Sequence, residues 1–272
     1  MKLFAWLLCV SLAAACPAAP ALAQQTRQPQ QQPAQTNQLA PIDVLMRNFE
    51  SMAFGDAGER SKWTAVTRWR EPVRAILIGE KSDQFRDDVR GLFALFEMLT
   101  GVPFSLADSD GGANVRIYFS ERDWYRTQVA RSFPRPDQVV CFTNTSVDTN
   151  GIIGGANTVI PEDLSARGVR TCLAHELLHA IGFQGHPMRS FDSALRNGIG
   201  IDRLTINDQL LIRALYDDRL RFDMAPDEAL TAATAIVTTL QAKVLEAKDP
   251  LDVLAQRGRI PLTLPPWNGG PV

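Results

Sequence analysis

Apolar positions recur with two different periods along this chain, and each change of period marks an element. Residues 73–79 (VRAILIG) are a short apolar run rich in β-branched side chains, which predicts a strand. Residues 83–99 carry Phe85, Val89, Leu92, Phe93, Phe96 and Leu99 at helical spacing, and Gly101 with Pro103 stops that helix. Residues 114–120 (NVRIYFS) alternate, as a half-buried strand does. A strand, a long helix and a second strand predict a parallel pair joined by a crossover. Residues 138–143 and 151–160 predict two more strands around the turn signal Asn150-Gly151. They form either an ordinary hairpin or an edge strand lining a cleft, and the pattern does not separate the two.

A further helix is predicted from Leu164 or Ser165 to Ile181, burying Val169, Leu173, Leu177, Ala180 and Ile181 on one face. Residues 186–205 have no period. Thr205 is an expected N-cap, with Asp208 completing a capping-box-like start. Ile206, Leu210, Leu211, Ala214 and Leu215 form the stripe of the helix that follows, and residues 226–248 predict another.

The start of the chain has a different character. Lys2, the apolar stretch 3–15 and Ala21-Leu22-Ala23 have the form of a signal peptide over residues 1–23, which predicts export to the periplasm or medium. Cys16 offers an alternative, a lipid anchor, although Ala13 stands where a large aliphatic residue is expected. Residues 24–41 are rich in Gln and Pro and read as a disordered leader. One domain over 42–250 and a Pro-rich tail over 251–272 complete the expected organisation. No segment after the signal reaches membrane-spanning length. The net charge of −2 argues against a nucleic-acid footprint. Nothing in the pattern fixes an oligomeric state.

All 3 histidines lie within the string His175-Glu176-Leu177-Leu178-His179-Ala180-Ile181-Gly182-Phe183-Gln184-Gly185-His186. On a helix, His175 and His179 share a face one turn apart and can bind one Zn²⁺. Gly182 lets the chain double back and bring His186 to a third position. Glu176 is placed to act as general base toward a metal-bound water. The expected activity is therefore metal-dependent hydrolysis. Cys141 and Cys172, the cysteines left after signal removal, are expected to pair. Two buried thiols, or a cysteine as an extra zinc ligand, are the other readings.

These residues resemble the zincin peptidases, and within them the metzincin motif H-E-x-x-H-x-x-G-x-x-H. His175, Glu176, His179 and Gly182 match in place, whereas Gly185 occupies the third ligand's position and His186 follows one residue later. The resemblance implies an α+β, zincin-like fold: a small mixed twisted sheet, a long N-terminal helix, an active-site helix and C-terminal helices. It implies a zinc-dependent metalloendopeptidase acting on a peptide or protein substrate, with Zn²⁺ on His175, His179 and His186 and with Glu176 catalytic. It also implies a packing methionine under the metal, for which Met188 is too close and Leu195 stands in the comparable stretch. Tyr216 and Arg196 are candidate oxyanion donors. Residues 69–224 also resemble an uncharacterised family of exported bacterial proteins. Two alternatives stand beside the peptidase: a non-catalytic metal-binding envelope or interaction module, and a zinc amidase acting on cell-wall peptide.

Overall fold

The computed structural model describes residues 38–55, 65–188, 190–198 and 200–255. The signal segment 1–23, most of the leader 24–41 and the tail beyond 255 lie outside these residues, so those expectations have no structural counterpart.

The fold is mixed α+β. Its sheet contains β1 (Val73–Ile78), β2 (Phe104–Leu106), β3 (Val115–Ser120), β4 (Phe142–Val147) and β5 (Ile153–Pro161), in the order β2-β1-β3-β5-β4. The pairs β1–β2, β1–β3 and β3–β5 are parallel, and β4 runs antiparallel to β5 along the edge. The described helices are α1 (Ile42–Phe54), α2 (Arg86–Thr100), α3 (Arg122–Ser132), α4 (Ala166–Ala180), α5 (Ile206–Leu215), α6 (Pro226–Glu246) and α7 (Pro250–Ala255).

Strands β1 and β3 and helix α2 fall where the apolar period places them, and β1 and β3 are parallel. The chain leaving α2, however, first adds the short β2 to the opposite side of β1. Three residues are too few to display alternation, so this strand carries no sequence signature. Residues 138–143 are corrected to a strand beginning only at Phe142, because a 3-10 turn over Pro136–Gln138 precedes it. Strands β4 and β5 pair as an antiparallel hairpin, with β4 on the edge of the sheet.

Helix α1 has no counterpart among the elements read from the period, although the expected domain begins at residue 42. Its period is nonetheless in the chain: Leu45, Phe49 and Met52 recur at helical spacing and are all buried. Helix α3 is a different case, because only Tyr125 and Val129 are buried along its length. Two apolar contacts do not make a readable stripe.

Helix α4 starts with the Ser165 hydroxyl accepting from the Gly168 N–H, a side-chain N-cap. Helix α5 starts with the full capping box of Thr205 and Asp208 that the sequence predicts. The far end of α4 is buried, and its last carbonyls need donors. Leu177, Leu178 and His179 accept from the N–H groups of Ile181, Phe183 and Gly182, while the carbonyls of Ala180, Ile181 and Gly182 receive side chains from elsewhere in the chain. Trp69 Nε1 donates to the Ala180 carbonyl at 2.8 Å, Tyr216 Oη to Ile181 at 2.7 Å, and Thr67 Oγ1 to Gly182 at 2.7 Å. Between Thr67 and Trp69, the Arg68 guanidinium caps α5 in the same way, donating to the carbonyls of Leu215, Asp217 and Leu220. The segment 67–69 therefore ties the C-terminal ends of α4 and α5 together.

Tyr216→Phe removes the donor to Ile181 and leaves a buried carbonyl without it. A loss of roughly 1–3 kcal/mol is expected, read as a lower denaturant midpoint at unchanged m-value. An unchanged midpoint would show that the carbonyl finds another donor.

Candidate metal centre

His175 and His179 occupy successive turns on one face of α4, as the i, i+4 spacing requires. After Ala180 the chain must reverse, and it does so at Gly182, with φ at +125°. A β-carbon there would lie 2.1 Å from the Thr67 carbonyl oxygen, so no other residue fits without displacing backbone. The reversal carries His186 back over the helix face. Its Nε2 lies 3.3 Å from the Nε2 of His179 and 3.3 Å from that of His175. The three imidazoles converge, and the one-residue displacement of the third does not prevent it.

The outer ring nitrogens decide the proton count. His175 Nδ1 faces the Ala194 carbonyl at 3.0 Å, and His179 Nδ1 faces the Phe183 carbonyl at 2.6 Å. A carbonyl can only accept, so both Nδ1 atoms carry the hydrogen and both Nε2 atoms present lone pairs inward. His186 can donate to one of them at most. Three inward nitrogens at this distance, with at most one hydrogen among them, repel unless a cation lies between. For bonds of about 2.0–2.1 Å around a tetrahedral ion, neighbouring ligand nitrogens stand about 3.3 Å apart. The donor set therefore fits a divalent transition ion in both chemistry and spacing.

Burial favours the form that such an ion needs. It pushes the His175 imidazole down to about 4, with His186 adding in the same direction and the Ala194 carbonyl opposing. His179 is pushed well below its ordinary value, by burial first and then by the other two histidines. Metal ligation requires neutral imidazole, so the site is held ready without a proton to expel.

The supports for these ligands are largely tertiary. Ala194 is fixed by its own N–H, which donates to Asp208 Oδ2 at 2.9 Å. Asp208 also accepts from the Ser193 hydroxyl and from the Thr205 N–H. Its carboxylate, wholly buried, thus ties the start of α5 to the carbonyl that orients His175. The sequence showed Asp208 only as a capping residue. Its second role depends on where 193–194 comes to lie. The predicted disulfide is present between Cys141 and Cys172, with Cα atoms 6.0 Å apart, and it joins the entry to β4 to the turn of α4 before His175. Neither thiol is left to ligate a metal.

The expectation of a zinc-dependent metalloendopeptidase is corrected by this geometry. The converging set consists of three imidazoles and contains no carboxylate. The H-E-x-x-H spacing delivers two of the three ligands, but Glu176, only 3% exposed, is not among the converging donors. Burial, partly opposed by the Thr143 hydroxyl, pushes its carboxyl up to about 8. In the metal-free protein, burial thus favours its protonated form. The expectation of metalloprotease chemistry falls with the role of base.

The guessed oxyanion donors are not free for it. Tyr216 is buried and bonded to Ile181 and Trp69, and the charge of Arg196 acts on Asp192. Leu195 is fully buried while Met188 is 52% exposed, so leucine is the packing residue of the two.

Opposite pH dependences follow for the metal-free protein. The lowered His175 contributes stability that is lost as pH falls from 6.5 toward about 4. The raised Glu176 contributes stability that is lost as pH rises from 4.5 through about 8. In chelator, the unfolding temperature is expected to fall between pH 6.5 and 8. Glu176→Gln, which keeps the shape of the neutral acid, is expected to remove that fall. An equal fall in the variant would mean that another group carries it.

A family model described as a protein of unknown function, DUF2927, matches residues 43–235 of the chain. No curated protein matches the chain, and no solved structure does.

Proposed function

We propose that this chain, which belongs to the DUF2927 family of proteins of unknown function, is an exported, non-catalytic module that binds one divalent transition-metal ion through His175, His179 and His186. The observation that carries this is the convergence of three Nε2 atoms, with the outer nitrogens of His175 and His179 committed to backbone carbonyls. Such a set suits Zn²⁺ and its imidazole-preferring neighbours and not Mg²⁺ or Ca²⁺, which take oxygen donors. Zn²⁺ is the ion that fits the spacing best and is the first probe.

Three protein donors leave a four-coordinate ion with room for a ligand from outside. In an envelope module that ligand is a carboxylate or imidazole presented by a partner. A bound ion would be held by His175, His179 and His186 and would supply a Lewis-acid contact for such a group. Export is supported by the amino-terminal sequence, with Lys2, the apolar run and Ala21-Leu22-Ala23. Among the described residues no helix is long and apolar enough to cross a membrane.

Titration of the purified mature domain with Zn²⁺ is expected to give one ion per chain and no binding of Mg²⁺. His179→Ala should weaken Zn²⁺ by more than about 100-fold, since changes to outer-shell partners alone cost about 10–100-fold. Unchanged stoichiometry and affinity in that variant would reject the ligand set. The zinc-loaded domain is expected to leave unfolded protein and cell-wall peptide uncut. Cleavage that disappears with His179→Ala would overturn the non-catalytic half of the proposal.

A further inference from the structure

Two of the three ligands are placed by local geometry, because one helix carries both. The third is placed by a helix more than 130 positions away in sequence. The turn that carries His186 lies against the C-terminal half of α1, and three hydrogen bonds join them. The Gly185 N–H donates to the Met52 carbonyl at 3.0 Å. Ser51 Oγ donates to the His186 carbonyl at 2.7 Å, and the Met188 N–H donates to Asn48 Oδ1 at 2.7 Å. Asn48 is itself locked, buried and donating to the Val44 carbonyl at 2.7 Å.

Contact is also close at the backbone. A β-carbon on Gly185 would stand 2.2 Å from the Ser51 carbonyl oxygen and 2.7 Å from Gly55 Cα. The turn can lie flush on α1 only because residue 185 has no side chain. The same contact gives a physical reason for the displaced ligand. The position one residue earlier is pressed against a helix and has no space for an imidazole, so the third histidine falls at 186.

We infer that α1 is a positioning element for the metal centre, with Ser51 and Asn48 setting the direction of His186 and Gly185 permitting the contact. The centre is thus assembled from two parts. Helix α4 alone offers a two-imidazole site, and docking of α1 converts it to a three-imidazole site. This rests on the metal-binding reading proposed above.

A double-mutant cycle on the full mature chain tests it, with Zn²⁺ affinity and the visible spectrum of the Co²⁺ form as readouts. Ser51→Ala is expected to weaken Zn²⁺ by about 10-fold or more and to shift the Co²⁺ spectrum toward that of His186→Ala. In a His186→Ala background, Ser51→Ala should change nothing further, because the ligand it positions is gone. Ser51→Thr, which keeps the hydroxyl, should restore the affinity. A merely structural Ser51 would weaken both backgrounds equally, and that result overturns the inference, as does an unaffected Ser51→Ala.

Gly185→Ala gives an independent check, since it must push the turn off α1 and should reproduce the His186→Ala spectrum. Retention of the unmutated spectrum in Gly185→Ala would also overturn the inference. If the unmutated chain binds no ion, the metal-binding reading itself fails, and the inference falls with it. If it binds one while Ser51→Ala is unaffected, only the role of α1 fails.

Discussion

The end of α4 is the constraint on which the rest of the site depends. A helix that stops inside a core leaves carbonyls that water cannot reach, and each must be given a donor. The turn 181–183 supplies part of them with its own N–H groups, and Thr67, Trp69 and Tyr216 supply the carbonyls from Ala180 to Gly182 from two other parts of the chain. Because the Thr67 carbonyl is pressed against Gly182, the chain can leave the helix in one direction only. That direction brings residue 186 back across the face that already carries His175 and His179. A capping requirement of ordinary folding chemistry thereby builds the ligand geometry.

Around this, the protein has arranged to keep the imidazoles neutral and oriented. Backbone carbonyls at Ala194 and Phe183 hold the outer nitrogens, and burial disfavours protonation of His175 and His179. The same burial acts in the opposite sense on Glu176, because desolvation always disfavours the charged form, which for a carboxyl is the deprotonated one. One environment therefore prepares the histidines as ligands and removes the neighbouring carboxyl from the role of base. A motif that names ligand and base together is separated by the packing into a donor set and a buried acid.

The donor set is held from several sides. The Cys141–Cys172 bridge ties α4 to the start of the edge strand, and the Thr143 hydroxyl on that strand donates to the Glu176 carbonyl at 3.1 Å. Asp208 ties the start of α5 to the carbonyl behind His175. Helix α1 holds the turn of His186. These supports come from three separate stretches of chain, residues 141–143, Asp208 on α5 and helix α1, so an ordered centre presupposes a completed fold.

What the sequence determined by itself is the part governed by near-neighbour spacing. The i, i+4 pair on α4, the Ser165 and Thr205 caps, the strands β1 and β3, and the reversal at Gly182 all follow from residues within a few positions of one another. The period of α1 was also legible, in Leu45, Phe49 and Met52, although it lies beside a polar leader that masks it. Helix α3 and strand β2 were not legible, being too sparsely buried or too short for any period to form. Only the tertiary structure decided that Asp208 reaches Ala194, that Ser51 holds His186, that Tyr216 is a cap and not an oxyanion donor, and that burial raises the Glu176 carboxyl. Those outcomes depend on backbone carbonyls and on burial. A carbonyl has the same identity at every position, and burial belongs to the assembled core, so neither is written in the order of side chains.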